Sequence, residues 1–199
     1  RSTAAEPLWT GDLLESPLEA ADKAGRVRRM FNAIAPRYQL VNSLFSAGRD
    51  RAWRRRAVHL ARVQRDDVVL DVACGTGDFA RAFAAAHPRA VSGCDFANAM
   101  LARAARLSPA ISWHQADALR LPVADASVSI VSCAFGVRNF ENLSEGLREM
   151  HRVLTVGGRA VILEFTRPAN RWLRFIYEAY SNRFMPIAAA WVSGDKTGA

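Results

Sequence analysis

The sequence has little that would anchor, staple or cross-link it. No apolar run approaches the roughly 20 residues needed to cross a bilayer, and residues 1–22 lack the basic patch and apolar core of a secretion signal. Cysteine is scarce: Cys74, Cys94 and Cys133 stand far apart, with no CxxC pair and no histidine at metal-ligand spacing. An odd number of isolated cysteines near expected strand ends argues for free thiols in a reducing compartment, against a disulfide scaffold and against a structural zinc site. No metal is expected, and the chain is expected to be cytoplasmic. Lysine is nearly absent too: apart from Lys23 and Lys196, the 27 basic residues are all arginine.

What is present is an ordinary globular composition, half hydrophobic and 23% charged, in 199 residues. That length suits one domain with a real core, and the composition excludes an intrinsically disordered chain. The formal charge is +8. A basic balance of that size fits nucleic acid, an anionic membrane surface or an acidic ligand. It fits equally an arginine-rich surface that merely solvates the protein. Charge alone does not choose among them.

Short β-rich runs alternate with alanine-rich helical patterns. This predicts a doubly wound α/β fold, a mostly parallel sheet covered on both faces. The expected strands are 67–73 (DVVLDVA), 90–95 (AVSGCD), 111–115 (ISWHQ), 128–135 (VSIVSCAF) and 159–165 (RAVILEF). The first, fourth and fifth are apolar nearly throughout, as strands buried on both faces should be. Helices are expected at 78–87, 98–106 and 143–154, with Pro88, Pro109 and the pair Gly157 and Gly158 as stops. Residues 1–22 read as a flexible lead and 23–63 as a helical lid broken at Pro36, its last helix beginning at Gly48. The stretch 67–165 reads as a cofactor-binding core, and 166–199 as a helical, aromatic segment on the substrate side.

The most informative run is VLDVACGTGDFA, residues 69–80. A buried strand enters a glycine turn at Gly75, Thr76 and Gly77, and a helix follows at once. Glycine there lets the backbone turn tightly and lets a nucleotide approach within contact distance. Asp95, which closes the next strand, is placed to accept hydrogen bonds from both ribose hydroxyls. The same run satisfies G-x-G-x-x-G/A, so a nicotinamide-dependent oxidoreductase is one reading. Two features favour S-adenosyl-L-methionine instead. Asp71, at the strand end before the turn, would repel a pyrophosphate but attract the ammonium of a methionine moiety. Asp117 and Ala118, after the third strand, are placed to read an adenine amino group through a carboxylate and a backbone amide.

The run VRRMFNAIAPRYQLVNSLFSAGRDRAWRR, followed by VLDVACGTGDFA, FGVRNF and REMHRVLTVGGRAVILEF, closely resembles the ubiquinone/menaquinone biosynthesis C-methyltransferase family over residues 23–196. APRYQLVN and FGVRN are not general methyltransferase motifs, which makes the resemblance specific. It implies a Rossmann-like class I methyltransferase domain over 23–199. Such a domain uses S-adenosyl-L-methionine to methylate a ring carbon of a polyprenylated quinol, either demethylmenaquinol or 2-polyprenyl-6-methoxy-1,4-benzoquinol. In the resemblance Arg138 and Asn139 flank the acceptor, Arg138 holding the developing phenolate and Asn139 orienting the same oxygen. Tyr38 reaches in from the lid. Free arginine is a poor base because its pKa exceeds about 12, which favours electrostatic stabilisation by Arg138. Val156 stands where the family usually has proline, and Ala134 where a small polar residue is common. The family's final antiparallel strand pair lies beyond SGDK, so that pair is expected to be missing.

Each candidate also has a plainer reading. Arg138 and Asn139 would cap the following helix and pair with Glu141, Tyr38 would pack as an aromatic after Pro36, and His114 would be a satisfied core histidine. Trp172, Phe175, Ile176 and Tyr180, at i, i+3, i+4 and i+8, read as core or dimer contact, or as a channel for the prenyl tail. RDRAWRRR at 49–56 reads as a solvated helix face, or as a dock for anionic lipid where each arginine contributes about 1 kcal/mol. The partners expected are the quinol, the inner face of the membrane, and a second copy or a quinone-biosynthesis complex. No nucleic acid is expected, because there is no catalytic cysteine motif, no NPPY-like tetrad and no RNA-binding module. The rival readings are an RNA or other small-molecule methyltransferase, and a non-catalytic truncated paralogue that binds cofactor or partners.

Overall fold

The computed structural model describes residues 48–166, together with 25, 28, 29, 31, 32 and 46 from the region before them. Strands β1 (Val68–Val72), β2 (Ala90–Asp95), β3 (Ser112–Gln115), β4 (Val128–Ala134) and β5 (Leu154–Leu163) form one sheet. Their order is β3-β2-β1-β4-β5, and every pair is parallel. Helix α1 (Asp50–Ala61) precedes the sheet, and α2 (Asp78–Ala84), α3 (Asn98–Leu107) and α4 (Leu143–Val153) connect its strands.

Successive strand residues point to opposite faces, so a strand covered on both sides has to be apolar almost everywhere. On one face Val69 and Ile130 pack under Phe79 and Phe83 of α2 and Val58 and Ala61 of α1. On the other, Leu70, Val72 and Val131 pack against Met150 and Val153 of α4. Asp71 interrupts this pattern in mid-sheet, fully buried.

The expected strands and connecting helices are all present, with shifted ends. The largest shift is in β5, which begins at Leu154, directly after α4. Gly157 and Gly158 do not end an element there but form a bulge within the strand. The register steps from Val128↔Leu154 to Ile130↔Arg159 across them, and Gly157 has φ 78°. His114 corrects a second expectation. It lies in β3 at the edge of the described sheet and is exposed, not a core histidine. The last helix of the expected lid is α1, whose C-terminal end is tied to the sheet by Arg159. That guanidinium donates to the Ala61 and Arg62 carbonyls at 2.8 and 3.0 Å and to Asp67 at 2.5 Å.

The chain runs outward from β1 through β2 to β3 and then returns to the other side of β1 as β4. The order therefore reverses between β1 and β4, and ligands of open α/β sheets bind outside the carboxyl ends of strands at such a switch point. Among the described residues no helix is long and apolar enough to cross a membrane.

Candidate active site

Just past β1 and β4 the backbone enters a conformation that side chains resist. Ala73 has φ 52° and Phe135 has φ 58°, both left-handed and neither a glycine. Strain of this kind is kept only where the surroundings impose it. Here a cleft of about 680 Å³, open to solvent, begins at these two residues. Gly75, Asp95 and Asp117 line it from the ends of β1, β2 and β3, and Phe135, Asn139 and Phe140 line it from beyond β4.

Asp95 is buried at the end of β2. Its Oδ2 accepts the Gly75 N–H and its Oδ1 the Ala97 N–H, each at 2.8 Å. Burial pushes its carboxyl up, and the backbone N–H groups of Ala97, Gly75 and Phe96 pull against that shift. A carboxylate oxygen has room for more than one donor, so a carboxylate held by two amides can still accept from a pair of hydroxyls. Asp117, just past the neighbouring strand β3, is exposed, its Oδ1 accepting the Leu119 N–H at 2.9 Å. Phe96 and Phe31 add an apolar wall, their rings edge to face at 6.5 Å.

Of the residues expected to hold the cofactor, Gly75, Asp95, Asp117 and Ala118 line the cleft. Thr76 and Gly77 line neither cavity at these strand ends. The Thr76 hydroxyl donates to Asp78 Oδ2 at 2.9 Å, inside the turn. Gly77 precedes α2 with φ 80°, and a Cβ there would lie 2.3 Å from the Trp113 indole. These two residues build the turn and let helix and strand close on each other. Asp71 lines a smaller cavity of about 270 Å³ behind the cleft. Its Oδ1 accepts from the Ser132 hydroxyl at 2.7 Å and its Oδ2 from the Ala80 N–H at 3.0 Å. Burial pushes its carboxyl to about 7, opposed by those two bonds and by the nearby Arg54 cation.

The acceptor-side residues separate. Asn139 lines the cleft. Arg138 reaches instead to Glu164, its Nη1 donating to Oε1 at 3.0 Å, and its guanidinium lies 5.6 Å from the Phe165 ring centre. Phe165 stacks on Phe135 at 4.7 Å, and Trp53 of α1 meets both edge-on. Phe135 is thus a shared wall, with the cleft on one side and this aromatic cluster on the other. Helix α4 is capped by Asn142, whose Oδ1 accepts the Glu145 N–H at 3.1 Å, and not by the Arg138 and Asn139 pair. Tyr38 and the aromatic stretch 172–180 lie outside the described residues.

Sequence reasoning missed the aromatic walls Phe31, Phe96 and Phe135, for which composition carried no signal. It also missed Arg54, grouped above with a solvated arginine face. The signal for Arg54 was its spacing: Asp50, Arg54, Val58 and Ala61 form the buried stripe of α1. Two opposite charges on that stripe could stand there only as a pair. No group of three or more metal-ligating side chains occurs among the described residues.

The sequence and the fold both match known proteins. The chain is 45% identical to the demethylmenaquinone methyltransferase of Deinococcus radiodurans, over 87% of this chain and 74% of that protein. It is 40% identical to the ubiquinone/menaquinone biosynthesis C-methyltransferase of Rubrivivax gelatinosus, over 88% of this chain and 70% of that one. In fold it is similar to a SAM-dependent methyltransferase from Aquifex aeolicus, with a TM-score of 0.58 and 16% identity over 67% of this chain and 75% of that one. The model of the ubiE/COQ5 methyltransferase family matches residues 19–197. With a class I methyltransferase sheet and relatives matched along most of its length, the chain belongs to the ubiE/COQ5 methyltransferase family.

Proposed function

We propose that this methyltransferase uses S-adenosyl-L-methionine to methylate a ring carbon of a polyprenylated quinol, demethylmenaquinol or its benzoquinol counterpart. The observation that carries the reading is the buried Asp95 carboxylate at the end of β2, fixed by the Gly75 and Ala97 amides, one strand from the point where the sheet order reverses. An acid placed to accept from a diol, on the wall of an open cleft at the strand ends, fits the cofactor's ribose.

When bound, the cofactor supplies an electrophilic methyl group on a sulfonium. The chain's own residues divide the remaining work. Asp95 accepts from the ribose hydroxyls, and Asp117 with the Ala118 amide reads the adenine edge. Asp71 answers the ammonium of the amino-acid tail, and Thr76 and Gly77 shape the turn that presents Gly75. A quinol ring carbon becomes nucleophilic once the neighbouring hydroxyl gives its proton to water, and after methyl transfer the hydrogen on that carbon leaves as a proton to restore the aromatic quinol. Arg138 is the cation that stabilises the resulting phenolate. Asn139 orients the same oxygen, and Tyr38 completes the acceptor side from the lid. The division of the chain into a lid at 23–63, a core at 67–165 and a substrate-side segment at 166–199 follows from the same reading. Exposed Arg51, Arg55 and Arg56 of α1 face an anionic membrane surface in which the prenyl tail dissolves.

Calorimetry and a product assay test the reading. S-adenosylhomocysteine should bind, and Asp95→Ala should weaken it by about 1.5–3 kcal/mol, the range for hydrogen bonds to a charged group. Incubation with cofactor and a fully reduced quinol should add one methyl group, read by mass spectrometry. Tight NADH binding without a response to S-adenosylhomocysteine would sink the proposal. Cofactor binding with no methyl transfer to either quinol would select the non-catalytic reading.

A further inference from the structure

Helix α1 brings to the switch point a buried cation that the steps above do not use. Arg54 is 6% exposed. Its Nη1 donates to Asp50 one turn earlier, and Asp50 also accepts from the Ser46 hydroxyl at 2.9 Å. Burial would raise the Asp50 carboxyl, but the bonds from Arg54 and Ser46 outweigh it and hold the group below its ordinary value. The pair therefore stays ionised, and Asp50 keeps Arg54 from being an uncompensated buried charge. Arg54 Nε has no such partner. It is buried and without a hydrogen bond among the described residues. Native structures rarely leave a buried donor unmade, so such a group calls for an acceptor.

The space beside it supplies a place for one. Arg54 lines the 270 Å³ cavity together with Asp71, Cys74, Asp78 and Phe79. Asp78 is already engaged, by the Thr76 hydroxyl and by Arg81. Ala73 and Ala134 line both this cavity and the large cleft, so the two adjoin across the ends of β1 and β4. A nucleoside in the cleft would thus project its substituent toward a pocket holding one cation and one acid. That combination suits a zwitterion. Arginine suits the task better than lysine, because its planar fork can donate from Nε while Nη1 stays with Asp50.

We propose that Arg54 binds the α-carboxylate of the cofactor's amino-acid tail through Nε, opposite Asp71, so that helix α1 is fastened to the sheet by the cofactor itself. The assignment rests on the cofactor reading above and adds the residue that recognises the tail. It turns α1 from a covering helix into part of the binding site. A chain without the cofactor would hold that helix less firmly.

Two ligands that differ only beyond the thioether separate this role from a structural one. S-adenosylhomocysteine carries the amino-acid tail, and 5′-methylthioadenosine ends in a methyl group. In calorimetry on the wild-type chain the truncated ligand should bind at least about tenfold more weakly, the loss expected of one charge-assisted hydrogen bond. Arg54→Met keeps an apolar stem of similar length. It should weaken S-adenosylhomocysteine by about tenfold or more and leave methylthioadenosine within roughly twofold, and Arg54→Lys should fall between. Thermal unfolding without ligand would accompany each variant. If Arg54→Met does not fold, Arg54→Lys and the wild-type ligand ratio decide the matter. Equal losses for the two ligands, or equal wild-type affinities, would overturn the role of Arg54. Failure of the wild-type chain to bind either ligand would instead overturn the cofactor reading, and this proposal with it.

Discussion

Asp71 and Arg138 show how far burial and exposure set the work a charged residue can do. Asp71 is completely enclosed, and its carboxyl is pushed from 3.8 to about 7. Between those values the folded chain keeps a proton that the unfolded chain has released. The stability this proton contributes is complete below about pH 4 and is lost as pH rises through about 7. Asp71→Asn removes the titration. Denaturant unfolding across pH 4.5–7.5 should show the wild type losing stability relative to the variant as pH rises, by at most about 1.4 kcal/mol per pH unit. A pH-independent difference between the two chains would mean that Asp71 is ionised throughout. Arg138 is the opposite case, its side chain half exposed beside Glu164. We expect Arg138→Ala to lower kcat by about 10²-fold or more, as for loss of one oxyanion donor, with S-adenosylhomocysteine affinity unchanged. A parallel loss of cofactor affinity would make the residue structural. Spacing alone put Gly75 and Asp95 at the cleft, because turn geometry and a strand end dictate where they point. It did not identify Arg54, because helical position fixes a residue's face but not the cavity beside that face.

At the scale of elements, α4 transmits sequence to site through a missing side chain. Gly146 is buried in this helix, and a Cβ there would lie 2.4 Å from the Phe140 ring, which lines the cleft. In an isolated helix Gly→Ala gains about 1 kcal/mol. Here the added methyl must push the ring aside, so Gly146→Ala should lower the midpoint of thermal unfolding and weaken S-adenosylhomocysteine together. A more stable variant with unchanged affinity would show that Phe140 has room to move. Four of the five strands were legible nearly to the residue, because runs such as VVLDV and VSIVSCA are covered on both faces and leave no other reading. The start of β5 was not. Gly157 and Gly158 are strong stop signals locally, yet pairing with β4 carries the strand past them and expels the surplus residues as a bulge. Long-range pairing of that kind leaves no trace in a local pattern.

For the whole molecule, all three thiols lie in the buried interior near the carboxyl ends of the central strands. Burial raises each of them, with Cys94 pushed to about 12; the Asp71 carboxylate adds to the effect at all three, and Asp95 at Cys74 and Cys94. Only a thiolate is a competent nucleophile, so the native chain should resist a thiol-specific reagent at pH 8 and release all three groups in denaturant. Rapid reaction of even one in the native state would reveal that the sheet opens. The same chemistry makes the wild-type protein silent toward maleimide dyes. A fluorophore attached through Ala52→Cys, on the exposed side of α1, would therefore be the only label on the molecule. Its emission could follow that helix in real time with every native cysteine left in place.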